Sequence, residues 1–193
     1  MRGAWQCSSA TRLLDYSITT MNDINTPHCR IRAMEPSDVE QLYRWENDPE
    51  IWRIGANTEP ISRQRLLMWI ENQQYDIYAT HQMRLVVEVE GRVVGAVDIT
   101  DFNPQHLRFS LGILIYDKSD RRKGYAREVI EAMKEYGLYT LNLKQIWVEI
   151  DAFNTASIAL FESCGFERCG VRKEWICYGG AFYDVYEYQA ILR

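Results

Sequence analysis

At 193 residues and 22.7 kDa the chain is long enough for one domain with a full hydrophobic core. Its composition, 47% apolar and 25% charged, is ordinary for a soluble globular protein, and no apolar run approaches the length of a membrane span. A net charge of −5 and a pI near 5.3 argue against nucleic acid as a partner, because phosphate binding needs a surplus of Lys and Arg, and they suit a cationic ligand.

Residues 1–24 lack hydrophobic patterning. Arg2 and Arg12 stand among Ser8, Ser9 and Thr11 with no acid before Asp15, a composition shared with organelle transit peptides. This segment is expected to be a disordered extension, followed by a single domain over residues 25–193. The five cysteines (Cys7, Cys29, Cys164, Cys169, Cys177) form an odd set with no CxxC pair and no matched histidines. They predict neither a disulfide framework nor a metal site, and they fit a reducing, cytoplasmic setting.

Arg30-Ile31-Arg32 reads as a first strand. Ser37-x-x-Glu40 beside Pro36 has the form of a capping box, and Val39, Leu42 and Tyr43 follow at helical spacing. Asn47-Asp48-Pro49 ends that helix, residues 51–59 form a loop or short helical turn, and Ile61-Ser62 opens a second helix with Leu66, Trp69 and Ile70 on one face. The period then changes to two. Residues 85–89 and 93–101 are strands around a Glu90-Gly91-Arg92 turn, and residues 107–116 continue the antiparallel meander. Ala126, Val129, Ile130, Met133 and Tyr136 mark a helix, residues 145–150 a strand and residues 154–163 a short helix closed by Gly165. Two last strands, near residues 171–178 and 183–191, flank Gly179-Gly180. The fold class is mixed α/β.

The segment richest in chemistry is Arg121-Arg122-Lys123-Gly124-Tyr125-Ala126, which leads from a strand into a helix. Cations at a helix N-terminus oppose the helix dipole. The misfit disappears if an anion sits there, bound by exposed N–H groups and the basic side chains, with Gly124 and Ala126 allowing close approach. A solvated charge run is the other reading of the same residues.

The stretch resembles the acetyl-coenzyme A motif of the GNAT superfamily, R/Q-x-x-G-x-G/A, through Arg121, Gly124 and Ala126. Downstream, residues 154–166 resemble the family's Asn-headed helix, with Asn154, Ser157, Leu160, Phe161, Glu162, Gly165 and Phe166 in place. The likeness runs from about Arg30 to Leu192. It implies a mostly antiparallel central sheet, flanked by helices, whose one parallel strand pair splays to admit acetyl-CoA. Ile113, Leu114 and Ile115 would bind the pantetheine arm; Arg121, Arg122, Lys123, Gly124, Tyr125 and Ala126 the pyrophosphate; Asn154, Ser157 and Phe161 would line the other wall.

In such a fold the acceptor amine attacks the thioester directly. An alkylamine of pKa about 10.4 must first lose a proton, and Asp98, Asp101 and Glu149 are carboxylates near the expected site. Many relatives protonate the departing thiolate with a Tyr where this chain has Phe161, which cannot donate. Ser157 and Tyr183 are the remaining donors, Ser157 being also suited to capping its own helix. The chain looks similar to bacterial spermidine and diamine N-acetyltransferases, implying a polyamine or diamine acceptor with Glu46 and Glu59 toward it; those acids equally suit a solvated loop. Ser157 with Phe161 also resembles the ribosomal-protein N-terminal acetyltransferases, which implies a peptide N-terminus instead. A non-catalytic acyl-CoA-binding protein is the alternative of another class. Exposed Trp and Tyr residues in the N-terminal half leave room for a homo-oligomer.

Overall fold

The computed structural model describes residues 23–52, 59–72 and 76–193. The expected N-terminal extension lies outside the described residues except at its end, where Asp23 and Ile24 belong to a strand. That strand, β1 (Asp23–Asn25), pairs with β2 (Arg30–Ala33) through a turn in which Thr26 Oγ1 and the His28 N–H both donate to Glu128.

A 3₁₀ turn (Pro36–Asp38) leads into α1 (Val39–Glu46). Its cap is not the Ser37/Glu40 pair that the spacing predicts. Asp38 accepts the Glu35 N–H at 2.8 Å and a two-pronged contact from Arg32, whereas Glu40 reaches across to Arg63 at 2.6 Å. The guanidinium of Arg32, anchored on β2, decides which acid turns inward. Helices α2 (Pro49–Trp52), α3 (Arg63–Asn72) and α4 (Ile77–Thr80) follow. Then come β3 (Met83–Val89), β4 (Arg92–Asn103), β5 (Arg108–Ile115), α5 (Tyr125–Glu135), β6 (Gln145–Asp151), α6 (Thr155–Ser163), β7 (Glu167–Tyr178) and β8 (Ala181–Ile191).

The eight strands form one sheet in the order β1-β2-β3-β4-β5-β6-β8-β7. Every neighbour is antiparallel except β5 and β6, which run parallel for three residue pairs (Arg108 with Gln145, Phe109 with Ile146, Ser110 with Trp147) and then separate. Period-two burial sorts the side chains onto two faces. On one, Val97, Ile99, Phe109, Leu111, Ile146, Val148 and Tyr188 pack beneath Val129, Ile130 and Met133 of α5 and Phe161 of α6. On the other, Val86 and Ala96 meet Leu42 and Trp45 of α1 and Leu66 and Ile70 of α3. This second helical layer covers only the β2–β5 half, so the face formed by β6, β8 and β7 carries no helix among the described residues. No helix among them is long and apolar enough to cross a membrane, and none of their His, Cys, Asp and Glu groups is arranged to hold a metal.

Candidate active site

The separation of β5 from β6 opens a cavity of about 520 Å³ beside the start of α5. Its wall includes Ile113, Leu114 and Ile115 of β5, the loop and first turn at Arg121, Arg122, Gly124, Tyr125 and Ala126, and Asn154 and Ser157 at the start of α6. Gly124 caps α5 with φ 92°, a left-handed conformation that suits glycine, and a Cβ there would meet nothing within 4 Å. The backbone is therefore open to the cavity, where the first N–H groups of α5 have no intrahelical acceptor.

The three basic side chains do different work. Arg121 turns back: Nε donates to the Ile115 carbonyl and NH2 to the Tyr116 carbonyl, both at 2.9 Å, closing the end of β5. Lys123 bonds Asp120 at 3.0 Å. Arg122, at φ 62°, makes no hydrogen bond or ion pair among the described residues and lines the cavity. Asp120 is 2% exposed and takes both prongs of Arg92 at 2.8 and 2.9 Å. Hydrogen bonding to Arg92, reinforced by Lys123, holds its carboxyl down at about 2. The loop is thus pinned by an ion cluster built on one buried carboxylate, and its basic charge is only partly available to a ligand.

On the opposite wall Asn154 caps α6 by accepting the Ser157 N–H at 3.1 Å. Ser157 Oγ makes no hydrogen bond among the described residues, so its hydroxyl is not spent on capping the helix. Phe161 is 2% exposed and packs edge-on against Phe166 in the core; neither it nor Lys123 lines the cavity.

On the face away from α5 and α6, the strand registers align one row of residues across the opening. Arg84 of β3 pairs with Asp98 of β4, and Asp98 with Gly112 of β5. Beyond the gap, Glu149 of β6 pairs with Glu187 of β8. Gly112 and Glu149 each lie two residues past the last β5–β6 pair, Ser110 with Trp147, so they face one another where the strands begin to part. Asp98 accepts Arg84 Nε at 2.5 Å and NH2 at 3.0 Å, and the same guanidinium donates to Glu46 at 2.6 Å. Arg172 of β7 reaches Glu149 and Glu187, each at 2.6 Å.

Of the acids expected toward the acceptor, Glu46 is 6% exposed against Arg84, and Glu59 is paired with Arg65 at the surface. Asp101 sits at a bulge in β4 with φ 47°. Tyr183 packs edge-on against Phe153 at 5.1 Å, outside the cavity wall. The residues that sequence reasoning missed are Gly112, Arg172 and Glu187. Their signal is the strand register, which a linear motif does not carry.

Residues 28–167 match the acetyltransferase (GNAT) domain family. The chain belongs to that family. This acetyltransferase is 27% identical over 156 residues to the spermidine N(1)-acetyltransferase of Vibrio cholerae, covering 80% of this chain and 88% of that one. It is 25% identical over 178 residues to the uncharacterized N-acetyltransferase p20 of Bacillus licheniformis, covering 90% and 98%. Among solved structures, the spermidine N-acetyltransferase from Vibrio cholerae in complex with CoA and spermine superposes with a TM-score of 0.74 at 25% identity, over 86% of this chain and 97% of that one.

Acetyl-CoA is accordingly the co-substrate of this acetyltransferase, and the cavity fits it. An unobstructed glycine, the first N–H groups of α5 and Arg122, unpaired among the described residues, meet where β5 parts from β6.

Proposed function

We propose that the protein transfers the acetyl group of acetyl-CoA to a small primary amine, a polyamine or diamine, by direct attack within a ternary complex. The observation that carries this reading is the row Asp98–Gly112–Glu149. Two carboxylates flank a residue without a side chain at the mouth of the opening, so an ammonium group approaching there meets negative charge and open backbone together. The spermidine acetyltransferases among its relatives support the acceptor class.

Acetyl-CoA supplies an activated thioester. Main-chain groups at residues 113–115 would align the pantetheine arm, and the start of α5 with Arg122 would receive the pyrophosphate. Asp98, fixed by Arg84, draws the ammonium toward Gly112. Ser157 Oγ, on the cavity wall, would return a proton to the departing sulfur; Tyr183, packed on Phe153 outside that wall, is the less suited donor. Glu46 is buried against Arg84 and Glu59 lies at the surface with Arg65, whereas Asp98 and Glu149 flank Gly112 in one row where the strands part, which favours the row as the place for the acceptor's charge.

A peptide N-terminus is the second reading, favoured by Phe161 in place of the usual Tyr together with the uncommitted Ser157 hydroxyl. Thiol release from acetyl-CoA against spermidine, spermine, putrescine, lysine, aminoglycosides and ribosomal N-terminal peptides separates the cases. Turnover confined to polyamines and diamines is the expected result. Turnover with peptides alone would move the assignment to protein N-termini, and coenzyme binding without turnover on any acceptor would defeat catalysis altogether.

A further inference from the structure

Two triads of carboxylate, guanidinium and carboxylate stand on either side of Gly112: Glu46–Arg84–Asp98, and Glu149–Arg172–Glu187. They are not equivalent. Arg84 donates two hydrogen bonds to Asp98 and is 19% exposed, whereas the Arg172–Glu149 ion pair lies nearer to solvent, with Arg172 34% exposed. The Glu149 side chain is 35% exposed, enough to pass a proton on to water.

We propose that Glu149 is the proton acceptor for the incoming ammonium group and that Arg172 is the residue that positions it. Glu149 and Glu187 are direct cross-strand partners, an arrangement of like charges that is unfavourable without a cation between them. Arg172 provides that cation, and several features on β7 and β8 hold it there. Its guanidinium lies over the Trp175 ring, 5.0 Å from the centroid. Trp175 stands at an irregularity in β7 where Glu174 has φ 50°, fixed by Asp184, which accepts the Glu174 N–H at 2.9 Å and Lys173 at 2.7 Å. Gly170, opposite Glu187, leaves the room its carboxylate occupies; a Cβ there would collide with it.

The proposal rests on acetyl transfer to an amine and adds where the proton goes. The ammonium gives one proton to Glu149, and the freed lone pair forms the N–C bond to the acetyl carbon. The C–S bond breaks with its electron pair going to sulfur. Nitrogen then sheds a second proton and sulfur gains one, while Glu149 returns its own to water. Besides Arg172 of β7 and Glu187 of β8, the charged groups facing this point are Asp151 on β6 and, across the opening, Asp98 with Arg84. Burial raises the carboxyl pKa of Asp151.

The test is steady-state kinetics from pH 7 to 10 with spermidine, or with whichever amine the acceptor panel selects, for the wild type, Glu149→Gln, Asp98→Asn, Arg172→Gln and Arg172→Lys. Acetyl-CoA affinity serves as the control for folding. Glu149→Gln is expected to lower kcat/KM about 100-fold at pH 7 and to recover as the pH approaches that of the free amine. Asp98→Asn should act mainly on KM. Arg172→Gln should lose about 10-fold in kcat, with Arg172→Lys regaining most of it. A Glu149→Gln enzyme within threefold of wild type, or one depressed equally at every pH, overturns the proposal while leaving acetyl transfer intact. A pH-dependent loss in Asp98→Asn instead assigns the proton to Asp98 and likewise overturns it. A wild type silent on every amine defeats both the transfer reading and this one.

Discussion

On the α5 side of the opening the molecule presents backbone; on the opposite face of the sheet it presents charge. Gly124, the helix-terminal N–H groups and the edge of β5 form the first surface, while the basic side chains beside them are largely turned inward to Asp120 and to the end of β5. The second is assembled from paired arginines and carboxylates on five different strands and on α1. A surface made of backbone depends on a few contiguous residues and tolerates little change at them. A surface made of ion pairs spreads its function over distant positions, and its members matter unequally.

Substituting Gly124 tests the first surface most harshly. Gly124→Glu should weaken acetyl-CoA binding at least about 100-fold, roughly 2.7 kcal/mol, by placing bulk and negative charge where phosphate is to sit. Calorimetric titration measures it, and retained affinity would remove the loop from the binding site. Because the space around Gly124 is empty, the fold itself should lose only about 1–2 kcal/mol, for the left-handed backbone.

Next in size is the ion cluster beneath the loop. Arg92→Ala should lower Tm by a few degrees in thermal unfolding, because the buried Asp120 carboxylate keeps only Lys123 as a cationic partner. The sign of its pH dependence is fixed. Asp120 titrates below its ordinary 3.8, at about 2, so its stabilisation is complete above pH 4 and is lost as pH falls through 2. Acid unfolding should therefore begin at higher pH in the variant.

Smaller effects mark the boundary between the two surfaces. Ser157→Ala should reduce kcat about 10-fold with acetyl-CoA affinity unchanged; full turnover would exclude the hydroxyl from proton delivery. Smallest is Glu59→Gln. An exposed pair with Arg65 contributes at most about 1 kcal/mol, and the KM for spermidine should move less than twofold. A tenfold rise would return Glu59 to the acceptor site.

This asymmetry also explains what the sequence made legible. The strand–loop–helix at 113–126 and the Asn-headed helix are contiguous, and their residue types constrain the backbone locally, so they could be read directly. Asp98, Glu149 and Glu187 are separated by dozens of residues and become neighbours only through register, which a linear reading does not supply. Local cues also misled where a distant arginine intervened. Glu40 has the spacing of a capping residue but is drawn to Arg63. Element ends differed for a similar reason: β7 begins at Glu167 because β8 is there to pair with it.

The two halves of the sheet are joined by three residue pairs between β5 and β6, supported by the core beneath Phe109 and Ile146. A sheet so narrowly seamed is the natural place for local opening, and whatever lodges in the gap braces it. Occupancy at one hundred times Kd adds about 2.7 kcal/mol to the folded state by mass action alone. Resistance to proteolysis is therefore expected to rise with acetyl-CoA concentration, which would make the metabolic state of its surroundings a determinant of its lifetime as well as of its rate.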